Sequence, residues 1–163
     1  MPTTDPVLTA ADAYRATYTP SPNGSAPQRQ LTVVACMDAR LDLFPLLGLE
    51  VGDAHILRNA GGLITDDVIR SLVLSQRALG TRQTLLVHHT DCGMQKVDDA
   101  SFVDELERET GSRPHWLPGG FSDPFDDVRR SLERLGKCPW LVSHDARGFV
   151  FDVASGELIE VSA

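Results

Sequence analysis

The sequence has no long apolar run and no cluster of basic residues among its 163 positions. A membrane-spanning helix needs about 20 consecutive apolar residues, and no stretch approaches that length. The formal net charge is −8, and the 15 basic residues are scattered along the chain. We therefore expect neither a membrane partner nor a nucleic-acid partner, because an anionic surface would repel this chain.

Cysteine is also scarce, with three residues, Cys36, Cys92 and Cys138. The first residues, MPTTDPVLTA, contain neither the basic nor the apolar segment of an export signal, which predicts a cytoplasmic protein. A disulfide framework is not expected in a reducing compartment. The thiols are therefore interpreted as core residues, metal ligands or nucleophiles.

Composition divides the chain into two parts. Residues 1–30 are rich in Pro, Ser, Thr and Ala and are predicted to form an N-terminal arm, with a short helix from a Thr9 cap to about Tyr18 and a linker over 19–28. Residues 31–163 alternate apolar runs with helical periodicity, which is typical of an α/β domain. We expect a central, mostly parallel β-sheet flanked by helices, with an antiparallel edge strand.

The predicted elements of this domain follow from hydrophobic periodicity and from capping residues such as Thr65 and Gly80. The expected helices cover 65–80, 97–109 and 122–136. The expected strands cover 31–36, 54–59, 84–89, 140–145, 148–153 and 157–161, with a hairpin at 154–156.

Chemically reactive side chains follow three of the predicted strands. The first strand ends in Cys36-Met37-Asp38-Ala39-Arg40, the second in Arg58-Asn59-Ala60-Gly61-Gly62, and the third in His88-His89-Thr90-Asp91-Cys92. Sites in open parallel sheets form at the carboxyl ends of the strands, so the side chains of these segments could converge.

Cys36, His89 and Cys92 would together supply the Cys2His donor set of a catalytic zinc site, which keeps three protein ligands and one open position. His89 suits this role better than His88, because the HxxC spacing can bring both side chains to one ion as the strand ends. His88 would point to the opposite face and be buried or hydrogen-bonded. Taken singly, each signal has an ordinary structural explanation, such as a buried core cysteine or a surface Asp–Arg pair.

The combination of motifs resembles the β-class carbonic anhydrases, and in particular their short microbial branch. Their hallmark is CxDxR followed by HxxC, found here at 36–40 and 89–92, and RNAGG at 58–62 also matches. The resemblance covers about residues 31–160. It implies one zinc ion (Zn²⁺) per chain and a carbonate dehydratase, a lyase that reversibly hydrates carbon dioxide to bicarbonate and a proton. It also implies a homodimer, or a multiple of dimers, in which the N-terminal arm embraces the neighbouring subunit.

On this resemblance, zinc lowers the pKa of a bound water and makes hydroxide available at physiological pH. Asp38 would orient that hydroxide by accepting a hydrogen bond, and Arg40 would hold the carboxylate ionised. In some members of the family the equivalent aspartate instead becomes a fourth zinc ligand in a closed state, and the sequence leaves open which state Asp38 adopts. Gly61 and Gly62 would let the backbone pass close to the small substrate, or simply form a turn.

Three other hypotheses are compatible with the same residues. Related proteins hydrolyse carbon disulfide or carbonyl sulfide with the same zinc ligands, and substrate access would decide between these activities. A structural zinc site in a non-catalytic protein would need a fourth ligand, for which Asp38 is the candidate. A metal-free hypothesis makes Cys36 a nucleophile with His89 as its base.

Overall fold

The protein is described by a computed structural model that covers residues 5–20 and 24–162. A single sheet of five strands has the order β2-β1-β3-β4-β5. Its first four strands are parallel, whereas the last pairs antiparallel with β4. The strands are β1 (Leu31–Cys36), β2 (Ala54–Asn59), β3 (Gln83–His89), β4 (Asp145–Phe151) and β5 (Leu158–Val161).

Helices flank this sheet, so the fold class predicted from the sequence is confirmed. None of the helices in the described ranges is long and apolar enough to cross a membrane. Two short 3-10 turns follow strands β2 and β3, over Ala60–Gly62 and Gly93–Lys96. The α-helices are α1 (Pro6–Thr17), α2 (Leu43–Leu47), α3 (Asp66–Leu79), α4 (Asp99–Thr110) and α5 (Pro124–Gly136).

Both faces of the sheet are covered, which explains why its central strands are continuous apolar runs. All six residues of β1 are buried. Val33 and Ala35 belong to one core cluster, which also contains Cys36. Val34 lies between them in the sequence and belongs to a second cluster, together with Leu72 of α3. Alternate side chains of β1 thus enter two different cores, and the two cysteine candidates, Cys36 and Cys92, lie in the first of them.

Two helix starts illustrate how capping residues define the elements. The predicted cap of α3 is confirmed, because Thr65 Oγ1 accepts a hydrogen bond from the Val68 amide at 3.3 Å. The predicted start of α1 at Thr9 is wrong. Asp5 Oδ1 accepts from the Val7 amide at 2.9 Å, and the helix begins at Pro6. Proline suits the first turn because its missing N–H would have no helical partner there.

The predicted arm and domain extend slightly beyond what the structure describes. Residues 1–4, residues 21–23 of the linker predicted over 19–28, and residue 163 lie outside the described residues. In the described part of the chain, β1 begins at Leu31. The residues just before it are already tied to the domain, since the Gln28 amide donates to the Gly52 carbonyl oxygen at 2.9 Å.

The strand predicted over 140–145 is wrong, because β4 begins only at Asp145. The backbone of this segment is instead hydrogen-bonded to the buried side chain of Gln76 in α3. Its Oε1 accepts from the Val142 amide at 2.8 Å and from the Ser143 amide at 3.1 Å, and its Nε2 donates to the Ser143 carbonyl oxygen at 3.0 Å. A side chain therefore satisfies the backbone groups that a sheet ladder would otherwise pair.

The carboxyl ends of β1, β2 and β3 meet at one edge of the sheet. Cys36 is in register with Asn59 of β2, and Ala35 is in register with Val87 of β3. The chain passes from β1 to β2 on one side and then crosses to β3 on the other. The strand order thus reverses beside β1, which is where ligands bind in open parallel sheets.

Candidate metal centre

The end of β1 presents Cys36 from within the core. The residue is 4% exposed, and the backbone amides of Asp38 and Gly61 point at its sulfur. Arg58 of β2 donates from Nε to the Cys36 carbonyl oxygen at 3.0 Å and from Nη2 to the Asp38 carbonyl oxygen at 2.6 Å. The neighbouring strand therefore fixes the turn that carries both residues.

The end of β3 presents His89 to the same region. The Nδ1–H of this buried imidazole donates to the Thr90 carbonyl oxygen at 2.9 Å, which leaves Nε2 as the free ring nitrogen. Nε2 is buried and has no hydrogen-bond partner within the described part of the chain. Leaving such an atom unsatisfied costs about 1–3 kcal/mol, so the geometry favours a ligand at Nε2.

Cys36, His89 and Cys92 form a cluster whose ligand atoms all lie within 4.8 Å of one another. The two sulfurs of Cys36 and Cys92 are 3.9 Å apart, well beyond the about 2.05 Å of a disulfide. Two sulfurs bound at about 2.3 Å to one tetrahedral zinc ion would be about 3.8 Å apart. The cluster thus has the spacing and the donor atoms that a metal ion of this kind requires.

The two thiols differ in their acidity. Burial raises the pKa of Cys36, but the neighbouring His89 imidazole and the backbone amides of Asp38 and Gly61 outweigh it and lower the pKa to about 7. Burial raises the pKa of Cys92 to about 11, and the nearby Cys36 adds to this effect. Ligand sulfurs must be deprotonated, so a cation bound here would release the Cys92 proton.

Asp38 and Arg40 form a bidentate ion pair beside this cluster. Arg40 Nε donates to Asp38 Oδ1 at 2.9 Å, and Nη2 donates to Oδ2 at 2.9 Å. These bonds hold the pKa of the Asp38 carboxyl well below its usual range. Asp38 Oδ2 lies 3.7 Å from His89 Nε2, yet the carboxylate is not a member of the metal-ligating cluster.

Asp91 is a second partner of Arg40, although sequence reasoning favoured a merely exposed side chain over an acceptor near the site. Arg40 Nη1 donates to Asp91 Oδ2 at 3.1 Å, and Nη2 donates to the Asp91 carbonyl oxygen at 3.0 Å. The backbone of Asp91 is in the left-handed region, with φ of 50°. No local sequence pattern predicts this contact, because it joins residues from two strand ends.

Gly61 and Gly62 form the 3-10 turn after β2, and both have positive φ. A Cβ atom added to Gly62 would lie 2.9 Å from the Cys36 backbone nitrogen and 3.1 Å from the Ala35 carbonyl carbon. Real Cβ atoms do not approach backbone that closely, so this position requires glycine for packing as well as for conformation. The turn is thereby pressed against the end of β1.

His88 points away from the cluster, to the opposite face of the sheet. It is fully buried, and its Nε2–H donates to Asp127 Oδ2 of α5 at 2.9 Å. Burial raises the pKa of Asp127, but hydrogen bonds from His88 and Arg130 outweigh it and lower the pKa overall. The third cysteine, Cys138, is a buried free thiol that is not part of the cluster.

Comparison with known proteins agrees with this architecture. Residues 31–123 match the family model described as carbonic anhydrase. The chain is 53% identical over 137 residues to β-carbonic anhydrase 1 of Mycobacterium tuberculosis, covering 83% of this chain and 84% of that protein. It is 32% identical over 157 residues to a carbon disulfide hydrolase of Acidithiobacillus thiooxidans, covering 83% of this chain and 78% of that one.

A solved structure gives the same result for the fold. The crystal structure of carbonic anhydrase from Streptococcus mutans superposes with a TM-score of 0.87 at 39% sequence identity, covering 96% of this chain and 95% of that one. With its mostly parallel sheet and its Cys-His-Cys cluster, the chain belongs to the β-carbonic anhydrase family, and it is an enzyme of that family.

Proposed function

We propose that the protein catalyses the reversible hydration of carbon dioxide to bicarbonate and a proton, with one zinc ion held by Cys36, His89 and Cys92. The observation that carries this proposal is the buried His89 Nε2, which has no hydrogen-bond partner in the described part of the chain and lies beside two sulfurs 3.9 Å apart. Two thiolates and one imidazole are a donor set that suits zinc, whereas magnesium and calcium prefer oxygen ligands. When bound, zinc lowers the pKa of a coordinated water towards neutrality and so supplies a nucleophile.

Asp38 is suited to orient the attacking water. Its Oδ1 already accepts two hydrogen bonds, from the backbone N and the Nε of Arg40, both at 2.9 Å. Among the described residues, its Oδ2 accepts one hydrogen bond, from Arg40 Nη2. A lone pair therefore remains on the oxygen nearer to His89, and it can accept a hydrogen bond from the water while the water's own lone pair faces the substrate carbon.

Arg40 acts through Asp38 in this proposal. A guanidinium that binds a carboxylate by two parallel hydrogen bonds fixes its plane as well as its charge. Asp38 therefore stays ionised and stays off the metal, which supports an open fourth position. Gly61 and Gly62 bring the backbone of their turn against β1 at the same place, and we propose that this backbone lines the substrate pocket.

The second candidate is hydrolysis of carbon disulfide or carbonyl sulfide, which the identity to a carbon disulfide hydrolase over most of the chain favours. A structural zinc site is less well supported, because Asp38 binds Arg40 rather than completing a set of four ligands. The metal-free hypothesis, with Cys36 as nucleophile, requires activity that survives removal of metal.

The proposal is tested by combining metal analysis with stopped-flow assays on carbon dioxide and carbon disulfide. We expect about one zinc per chain in the wild type. Cys36→Ser should lose the metal and the activity, Asp38→Ala should keep the metal and lose most of the activity, and Cys138→Ala should keep both. Hydration by a metal-free preparation, or zinc retained in full by Cys36→Ser, would refute the assignment. Faster turnover of carbon disulfide would favour the second candidate.

We also propose that the protein is a homodimer, or a multiple of dimers, assembled through α1. This helix has no buried residue, and it exposes Val7, Leu8, Tyr14 and Tyr18. A 12-residue helix is marginal in water without a surface to pack on. In sedimentation velocity, Tyr14→Asp should shift the protein towards monomer, whereas Ala16→Asp, on the far side of the helix, should not. Equal behaviour of the two variants would contradict docking through this side.

A cytoplasmic location remains part of the proposal. The three cysteines are free thiols, as a reducing compartment allows. Fractionation of cells expressing the native chain, followed by immunodetection, tests it directly, and recovery in a secreted or membrane fraction would contradict it.

A further inference from the structure

We propose that Asp91 is a positioning residue, which holds the Arg40 guanidinium in place and so biases Asp38 towards the arrangement in which its carboxylate stays off the metal. The inference rests on the proposed function and concerns how the same site is kept open. It assigns a role to a residue that lies beside a metal ligand in the sequence but makes its contacts away from the metal position.

Arg40 bridges two carboxylates with separate edges of one guanidinium. Nε and Nη2 face Asp38, while Nη1 reaches Asp91 Oδ2 at 3.1 Å. Nη2 also donates to the Asp91 carbonyl oxygen at 3.0 Å. Asp91 thus offers two acceptors that do not depend on where the Asp38 side chain lies, and Arg40 keeps them when Asp38 moves.

The left-handed backbone of Asp91 accompanies this arrangement. At φ of 50° most side chains are strained, but Asp and Asn tolerate the conformation. The carbonyl oxygen and the carboxylate of Asp91 then serve the same guanidinium. Lys96 Nζ lies 3.9 Å from Asp91 Oδ1 and adds a second cation on the other oxygen.

The bias towards the open arrangement has an entropic origin. The Arg40 side chain is 46% exposed, and a long exposed side chain loses rotamer freedom when it is held by a single partner. Because Asp91 already orders Arg40, pairing with Asp38 requires no further ordering. Without Asp91, movement of Asp38 to the metal would also release Arg40, and this release would favour the closed arrangement.

Three substitutions separate the acceptor from the backbone. Asp91→Asn keeps a side-chain oxygen that can accept from Arg40 and tolerates positive φ. Asp91→Gly removes the side-chain acceptor and tolerates positive φ, whereas Asp91→Ala removes the side-chain acceptor and strains the backbone; both keep the backbone carbonyl oxygen. An effect shared by the Gly and Ala variants and absent from the Asn variant therefore reports the acceptor rather than the turn.

The measurement is azide binding to the cobalt-substituted proteins, followed by visible absorption, because an anion competes with Asp38 for the fourth position. Exposed ion pairs change equilibrium constants by up to about fivefold. We expect azide to bind about twofold or more weakly to Asp91→Gly and Asp91→Ala, and as in wild type to Asp91→Asn. Cobalt content should be equal in all four proteins. In the zinc enzymes, kcat should fall in Asp91→Gly and Asp91→Ala with little change in KM.

Equal azide affinity in all four proteins would overturn the proposal, as would an equal loss in all three variants. Loss of metal from Asp91→Gly and Asp91→Ala would also overturn it, because Asp91 would then support the ligands rather than Asp38. If the wild type binds cobalt and azide but hydrates no carbon dioxide, the proposed function fails while the azide comparison still tests Asp91.

Discussion

Replacing Gly62 by alanine tests the claim that the turn after β2 is pressed against the end of β1. The added Cβ would meet two backbone atoms, the nitrogen of Cys36 at 2.9 Å and the carbonyl carbon of Ala35 at 3.1 Å. A non-glycine residue at positive φ costs about 1–2 kcal/mol, and overpacking against atoms that cannot move adds about 1–3 kcal/mol. The expected loss of unfolding free energy is therefore about 2–5 kcal/mol.

Gly111→Ala is the matched control. Gly111 ends α4 with φ of 72°, against 70° for Gly62, but no atom of the described residues lies within 4 Å of a Cβ added there. Only the conformational cost applies, about 1–2 kcal/mol. Since 1 kcal/mol shifts the melting temperature of a protein of this size by about 2–4 °C, calorimetry at equal protein concentration resolves the two. A Gly62→Ala variant no less stable than Gly111→Ala would refute the close approach.

Two further predictions concern buried polar side chains away from the metal centre. Asp127→Asn should lower the unfolding free energy by about 1–3 kcal/mol at neutral pH. The folded-state pKa of Asp127 is lowered, so the wild type should have the higher unfolding free energy in urea above the unfolded-state pKa of about 3.9. This difference between wild type and variant should fade as the pH falls below that value. A difference that persists undiminished at lower pH would contradict the prediction. Gln76→Ala leaves the Val142 and Ser143 amides unpaired and should cost about 2–4 kcal/mol in the same assay; a change below about 0.5 kcal/mol, typical of surface substitutions, would show that water replaces the side chain.

The sequence predicted the elements whose pattern is local. The apolar run of β1 and the capped helix α3 are set by residues within one segment, and both agree with the structure. The strand predicted over 140–145 failed because Gln76, far away in the chain, takes the hydrogen bonds of that backbone. Periodicity within a short window carries no information on such a partner.

The candidate site shows the same division. Cys36, His89 and Cys92 could be selected from their residue types at strand ends, and the structure brings their ligand atoms together. The second partner of Arg40 could not be selected, because the contact with Asp91 depends on the meeting of two strand ends that lie far apart in the sequence. The tight packing of Gly62 likewise depends on the register between β1 and the turn after β2.

X-ray absorption at the zinc edge of the purified protein tests the central claim most directly. With Cys36, His89 and Cys92 as ligands, the spectrum should show two sulfur atoms at about 2.3 Å, one imidazole nitrogen at about 2.0–2.1 Å and one further light atom in the remaining position. A zinc ion with no sulfur neighbours, or one surrounded by nitrogen and oxygen alone, would contradict the account.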